Sequence, residues 1–477
     1  MGDGSASLMV SNLLDAFDHQ VRTQPSSVAL IGDVATTYTW LQLARQVQAT
    51  AESLHAKFAA APAMPRHLGY GSRNSLADVV LTLAAARIGV INVPLNELGG
   101  ENHLQDCWQQ VGGYWIDDVE ALLASSTRLG QMEFDRVDPN SAGLILWTSG
   151  TSGSPKGVVL SHRSLASNAQ AKLSTVPQTS QDVRLTCLPV SHAYARTCDL
   201  GTWLLSGCTL ALTRGFEGWT RLAAFVQPTL ANVVPSVAER LLAGDADELG
   251  MQRLRVLGVG GAGLSASSFQ QWKTRGIVVT QGYGCTETAP VICSATPENA
   301  VPGCVGMPVE GWETEIRDGR LFVRGPHLML GYWQNPIATR ERIDADGWFD
   351  TGDLVELDSA TGQYRILGRQ DDVIVLPNGH KVFPATIERI VDSLGGVRHS
   401  MLRYGEGQLQ LWVETDLAGT TWEHLCNTAV ETLTRRPRWE RPRVIERFAE
   451  PLRRIEGELT EKGTICRSRI EQLRFQR

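Results

Sequence analysis

The chain has 477 residues, more than one hydrophobic core usually serves, so two or more domains are expected. A hydrophobic fraction of 43% is ordinary for a globular protein, and a net charge of −7 argues against a nucleic-acid-binding role. Nine scattered cysteines, an odd number without a C-x-x-C pair, signal neither a disulfide framework nor a zinc site. Free thiols in a reducing cytoplasm are the expectation.

In chain order, the first residues lack the charged and apolar regions of a secretory leader. Residues 10–60 read as helix, strand, helix: Asn12–Phe17 has helical spacing, Val28–Ile31 is strand-like, and Tyr38–Phe58 returns to helical periodicity. Asn74–Gly89 predicts an amphipathic helix capped by Ser75, followed by a strand to Asn96. The longest apolar stretch, Val79–Val93, is interrupted by Thr82, Arg87 and Asn92, so no membrane span is expected. Buried-strand candidates follow at Leu210–Leu212, Leu230–Val234, Leu254–Gly260 and Ile277–Thr280. This alternation argues an α/β fold with substantial sheet to about residue 310. From Thr314 to Leu357 the strands shorten. Near Gly368–Asp372 the pattern changes again, and the last hundred or so residues read as a compact α+β unit.

The most informative segment follows the apolar run Leu144–Trp147. Between Thr148 and Lys156, glycines and hydroxyls crowd together before a second apolar run, Val158–Leu160. Gly150, Gly153 and Gly157 let the backbone approach an anion closely, and successive N–H groups can form a nest. Thr148, Ser149, Thr151, Ser152 and Ser154 add hydroxyl donors, and Lys156 adds a positive charge. The loop suits a polyphosphate such as ATP. It is not a Walker A loop, because Lys156 precedes its glycine rather than following it. A plain Gly/Ser linker would lack the flanking strand-like runs.

Five further segments carry chemistry. They are Gln281–Thr288, the Gly258–Leu264 turn, Phe349–Leu354, Gly368–Pro384 and Leu188–Tyr194. A sixth, Gly457–Arg467, lies near the end. With the 148–157 loop and in this order, they resemble the signatures of the adenylate-forming superfamily. That superfamily includes acyl-CoA synthetases, luciferases and the adenylation domains of nonribosomal peptide synthetases. The resemblance covers nearly all of the chain.

The resemblance implies a large N-terminal domain, 1–368, with helices layered on β-sheets, and a small mobile α+β domain, 369–477. It places Ser149, Gly150, Thr151, Ser152, Gly153 and their neighbours on the phosphates of ATP. Gly261, Ala262 and Gly284 would line the nucleotide and acyl pockets, and Tyr283 would pack on adenine. Thr286 would bond the α-phosphate, and Glu287 would position Mg²⁺. Asp353 and Arg369 would hold the ribose, Asp371 would be the hinge, and His192 would lie beside the substrate carboxylate. The segment after His192 resembles long-chain acyl-CoA synthetases but has Ala195 where those carry an acidic residue. For the catalytic lysine, the tail fits the Thr-x-Lys-Gly-x-x-x-Arg form of aryl-CoA ligases at Lys462, whereas an ungapped long-chain match would place Thr464 there.

The implied activity is ATP-dependent formation of an acyl-adenylate from a fatty or aryl acid, with release of pyrophosphate and transfer to coenzyme A. Alternatives are a stand-alone ligase that loads a carrier protein in trans or closes a β-lactone, and a degenerate nucleotide-binding homologue.

Overall fold

The computed structural model describes residues 10–32, 36–126, 132–148, 155–454, 456–460 and 463–475. Five sheets organise the described residues. The largest has nine strands. Its six central members run parallel in the order Val278–Gly284, Val256–Val259, Leu230–Val233, Val183–Thr186, Thr209–Leu212 and Val28–Ile31. Leu230–Val233 and Val256–Val259 are buried at every position. A parallel sheet covered on both faces explains why these strands read as continuous apolar runs. Trp219, Leu222, Leu241 and Trp272 from the following helices form the core beneath them.

A six-stranded sheet runs in the order Gly331–Tyr332, Lys156–Ser161, Ala142–Thr148, Ile91–Asn96, His67–Ser72 and Tyr114–Ile116. The four-stranded antiparallel sheet, Glu313–Arg317, Arg320–Arg324, Phe349–Leu357 and Tyr364–Arg369, accounts for the shortened strands read there. Beyond residue 370, a three-stranded sheet of His399–Gly405, Gln408–Glu414 and Val444–Arg447 shares a core with the helices Pro384–Asp392 and Gly419–Leu433.

Two local expectations are corrected. The second helix spans Trp40–Ala60, because Tyr38 belongs to the short strand Thr37–Thr39 and Thr39 caps the helix by accepting from the Gln42 N–H. The helix at Leu76–Arg87 does begin after Ser75, where the Asp78 carboxylate accepts from the Ser75 N–H. It is not amphipathic, however. Eight of its twelve residues are buried, including the consecutive run Ala77–Leu81, because it is wedged among neighbouring elements on several sides. Among the described residues, no helix is long and apolar enough to cross a membrane.

Candidate active site

The strand Val278–Gly284 marks the place where the large sheet changes direction. It runs parallel to Val256–Val259 on one side and antiparallel to Val291–Ser294 on the other. Ligands of open α/β sheets gather at the carboxyl ends of strands where the connectivity switches. A cavity of about 70 Å³ opens there, lined by Gly258, Gly260 and Gly261 from one strand end and by Gly282–Thr286 from the other. Two of these glycines are required by close approach. A Cβ on Gly284 would fall 1.7 Å from the Pro290 carbonyl oxygen, and one on Gly260 would meet the Tyr194 ring at 2.9 Å. The ladder between Tyr283 and Gly284 is also shifted, a bulge that re-aims the chain beside the cavity.

At one side of this cavity three side chains interlock. The Tyr283 hydroxyl donates to Asp353 Oδ2 at 2.5 Å, and Arg369 Nη1 donates to Asp353 Oδ1 at 3.2 Å. Asp353 and Arg369 are direct partners across an antiparallel pair of strands, so backbone register alone brings them together. Arg369 Nη1 also donates to the Thr351 carbonyl at 2.9 Å, which fixes the guanidinium. Burial raises the Asp353 carboxyl, against the pull of Arg369 and the tyrosine hydroxyl. Burial and the neighbouring carboxylate together raise Tyr283 well above its ordinary value, so it stays a hydrogen-bond donor.

The phosphate-loop hairpin arrives at the same place. Thr148 and Lys156 are the last register pair of the strands Ala142–Thr148 and Lys156–Ser161. The Thr148 hydroxyl donates to the Lys156 carbonyl at 3.4 Å. Gly331–Tyr332 pairs with the second of these strands and sets Tyr332 between the hairpin and Glu287. The Lys156 ammonium lies 5.3 Å from the Tyr332 ring centre, and the Tyr332 hydroxyl donates to Glu287 Oε1 at 2.8 Å. Thr148, Lys156, Thr286 and Glu287 are thereby gathered at one end of the cleft. Ser149, Gly150, Thr151, Ser152 and Gly153, which form the tip, and Lys462 lie outside the described residues.

Three other sequence candidates sit at a remove. Ala262 is exposed beside the cavity rather than in its lining. The His192 ring faces Asn96, 3.5 Å from its amide nitrogen, and it is Ala193 and Tyr194 that line the cavity. Asp371 is exposed in the short turn Gln370–Asp372 that follows Arg369. Among the described residues no group of three or more His, Cys, Asp or Glu side chains is placed to hold a metal.

A family model for AMP-binding enzymes matches residues 114–333. The long-chain-fatty-acid–CoA ligase of Yersinia pestis is 31% identical over 302 residues, which cover 58% of this chain and 53% of the ligase. The chain thus spans about half the length of that relative. The feruloyl-CoA synthase of an Amycolatopsis species is 27% identical over 84% of this chain and 91% of its own. The fold is that of an anthranilate CoA ligase solved with anthranoyl-AMP, with a TM-score of 0.82 over 97% of this chain and 96% of that one at 20% identity. Residues 114–333 are thus similar to AMP-binding enzymes, and the chain as a whole shares the fold of the CoA ligase.

Among the lining residues that escaped the sequence reading are Tyr194 and Lys172. Tyr194 forms the wall against the Gly258–Gly260 strand end, and Lys172 reaches the cavity from the helix His162–Thr175. Tyr194 stood in a segment already singled out. Lys172 had one signal: it continues the stripe Leu165, Asn168, Ala169 at helical spacing, which marks the buried face.

Proposed function

We propose that the protein activates a carboxylic acid of the fatty or aryl class with ATP and passes the acyl group to coenzyme A. The observation that carries this reading is that the cavity lined by Tyr283 and Thr286 is joined through Tyr283 to Asp353 and Arg369, and that Glu287 next to Thr286 is joined through Tyr332 to the Thr148–Lys156 hairpin. In the first half-reaction a carboxylate oxygen of the acid bonds to the α-phosphorus of ATP. The bond from that phosphorus to the bridging oxygen breaks, and pyrophosphate leaves. In the second, the sulfur of coenzyme A bonds to the acyl carbon, AMP departs with the bonding pair, and the thiol gives up its proton.

Two anions must meet in the first step, so charge compensation and positioning dominate, and little proton transfer is needed. Asp353 has acceptor capacity beyond the two donors it already holds, which suits a ribose diol, and Arg369 steadies it. Tyr283 would pack on adenine, Thr286 would bond the α-phosphate, and Lys156 with the loop tip would hold the departing phosphates. Mg²⁺ would sit on Glu287 and the phosphates and offset their charge; a single carboxylate suits an ion that usually takes one or two carboxylates together with phosphate oxygens. Lys462 would bridge the carboxylate and the α-phosphate, and His192 would support the acid end from the Asn96 side. Residues 369–477 would turn about Asp371 between the two steps. The cysteines form no disulfide among the described residues, which supports a reducing, cytoplasmic setting.

Carboxylate-dependent exchange of pyrophosphate into ATP tests the first step, and thioester formation with coenzyme A tests the second. Exchange without thioester would replace the ligase reading with a carrier-loading or internally closing enzyme. No exchange with any acid would overturn acid activation altogether.

A further inference from the structure

We propose that Lys172 selects the acid by binding a second carboxylate, at the end of the substrate remote from the one that is activated, so that the protein's substrates are short or aromatic dicarboxylic acids. This inference rests on the acid-activating reading above and names the substrate class for that site.

The first support is position. Lys172 and Thr286 line the same cavity, so one ligand can touch both. Lys172 rises from the helix His162–Thr175, whereas Thr286 belongs to the phosphate end near Glu287 and the hairpin. The second is unfilled hydrogen-bonding capacity. Lys172 is 8% exposed, and its ammonium makes one hydrogen bond, to Ser294 Oγ at 2.7 Å. An ammonium has three N–H donors, and a buried donor without a partner is costly.

The third support is charge. Lys172 lies within electrostatic reach of one further cation, Arg184, and one carboxylate, Asp199. Arg184 already holds that carboxylate, with Nη1 2.9 Å from Oδ1, both side chains being almost fully buried. Asn232 donates to the same oxygen at 2.6 Å. The thiols offer no compensating charge, because burial pushes Cys187 and Cys198 up to about 12. Among the described residues Lys172 is therefore a buried cation without an ion-pair partner, and it lines the cavity. Burial lowers the Lys172 ammonium to about 8, which leaves it mostly protonated at neutral pH. A plain alkyl or aryl end would exclude water from the ammonium and return nothing, whereas a carboxylate pairs with it through charge-assisted hydrogen bonds.

Size sets the remaining limit. A water needs roughly 10–15 Å³ by the same measure, so the cavity of about 70 Å³ holds the equivalent of only a few waters. That suits a short chain or a single ring. The small residues Gly258, Gly260 and Gly282 against the Tyr194 ring leave a slot in which a flat group fits.

The test is pyrophosphate exchange by the full chain with matched pairs: butyrate against succinate, hexanoate against adipate, and benzoate against each benzenedicarboxylate. The expected result is at least one pair in which the diacid has a kcat/KM about 30-fold above its partner, the scale of one charged hydrogen-bonded pair. Lys172→Met should erase that ratio, and Lys172→Arg should keep part of it. A merely structural lysine would lower both members of a pair alike. Wild-type exchange that favours monoacids throughout overturns the inference while leaving acid activation intact, and this result needs no variant to fold. A diacid advantage that survives Lys172→Met also overturns it. Exchange with no acid of either series would instead overturn the acid-activating reading, and the inference with it.

Discussion

Tyr283, Asp353 and Arg369 meet because the strands Val278–Gly284, Phe349–Leu357 and Tyr364–Arg369 place them side by side. Lys172, which lines the same cavity, gathers Ser294, Arg184 and Asp199 around it from three further elements. In the first group, backbone register sets the geometry: Asp353 opposes Arg369 across an antiparallel ladder. In the second, side-chain packing sets it. Lys172 touches the Val291–Ser294 strand across 122 residues of sequence, and Arg184 holds Asp199 between a strand and a π-helical turn. The proposed nucleotide end is thus built to a fixed local pattern, while the proposed acyl end can vary by single substitutions that leave every motif untouched.

The sharpest way to break this comparison is at the buried pair. Asp199→Ala strands the Arg184 guanidinium in the interior, and removing one partner of a buried ion pair costs about 3–5 kcal/mol. We expect that loss in denaturant unfolding. A value near zero would mean that the surroundings of Lys172 are not the packed, charge-bearing cluster described here.

Lys462→Ala addresses the phosphate end. Loss of a charge-stabilising donor should cost about 3–4 kcal/mol in the adenylation transition state, roughly 10²- to 10³-fold in exchange rate. Thioester formation from a supplied acyl-adenylate should suffer far less. Exchange as fast as wild type would remove Lys462 from the chemistry and return attention to the Thr464 alignment. Asp353→Ala should act on the nucleotide alone. Losing charged hydrogen bonds to a sugar diol is worth about 2 kcal/mol, so the KM for ATP should rise about 30-fold while that for the acid stays nearly constant. Equal changes in both would show that the Tyr283–Asp353–Arg369 cluster is a structural clasp rather than a nucleotide site.

The same contrast explains what the sequence disclosed. The parallel core strands were legible because burial on both faces makes them continuous apolar runs. The hairpin strands around Thr148 and Lys156 were legible because a glycine- and hydroxyl-rich tip punctuates two apolar runs. The wall residue Lys172 was not, since a lysine on a helix is usually solvated, and only contact with Ser294 and the cavity reveals its place. The Leu76–Arg87 helix misled in the opposite direction: Asp78, Thr82 and Arg87 at helical spacing suggested an exposed face that tertiary packing largely covers. His192 was placed by its motif, yet its ring turns toward Asn96, and no local signal in the sequence decides that rotamer.

The smallest expected effect also separates the two ends most cleanly. Lys172 is a cation below about 8 and a neutral amine above it. If it binds a second carboxylate, kcat/KM for a diacid should be level below that pH and fall about tenfold per unit above it. Each tenfold step corresponds to about 1.4 kcal/mol. The matched monoacid should show no such limb. The charged neighbours leave this window clear: burial raises Asp199 to about 6, so it titrates below it, and Cys198 is raised to about 12, well above it. Tyr194 and Cys285, which also line the cavity, are pushed well above their ordinary values by burial. A fall shared by both acids would assign the titration to the phosphate end, and the distinction between the two ends would lose its chemical basis.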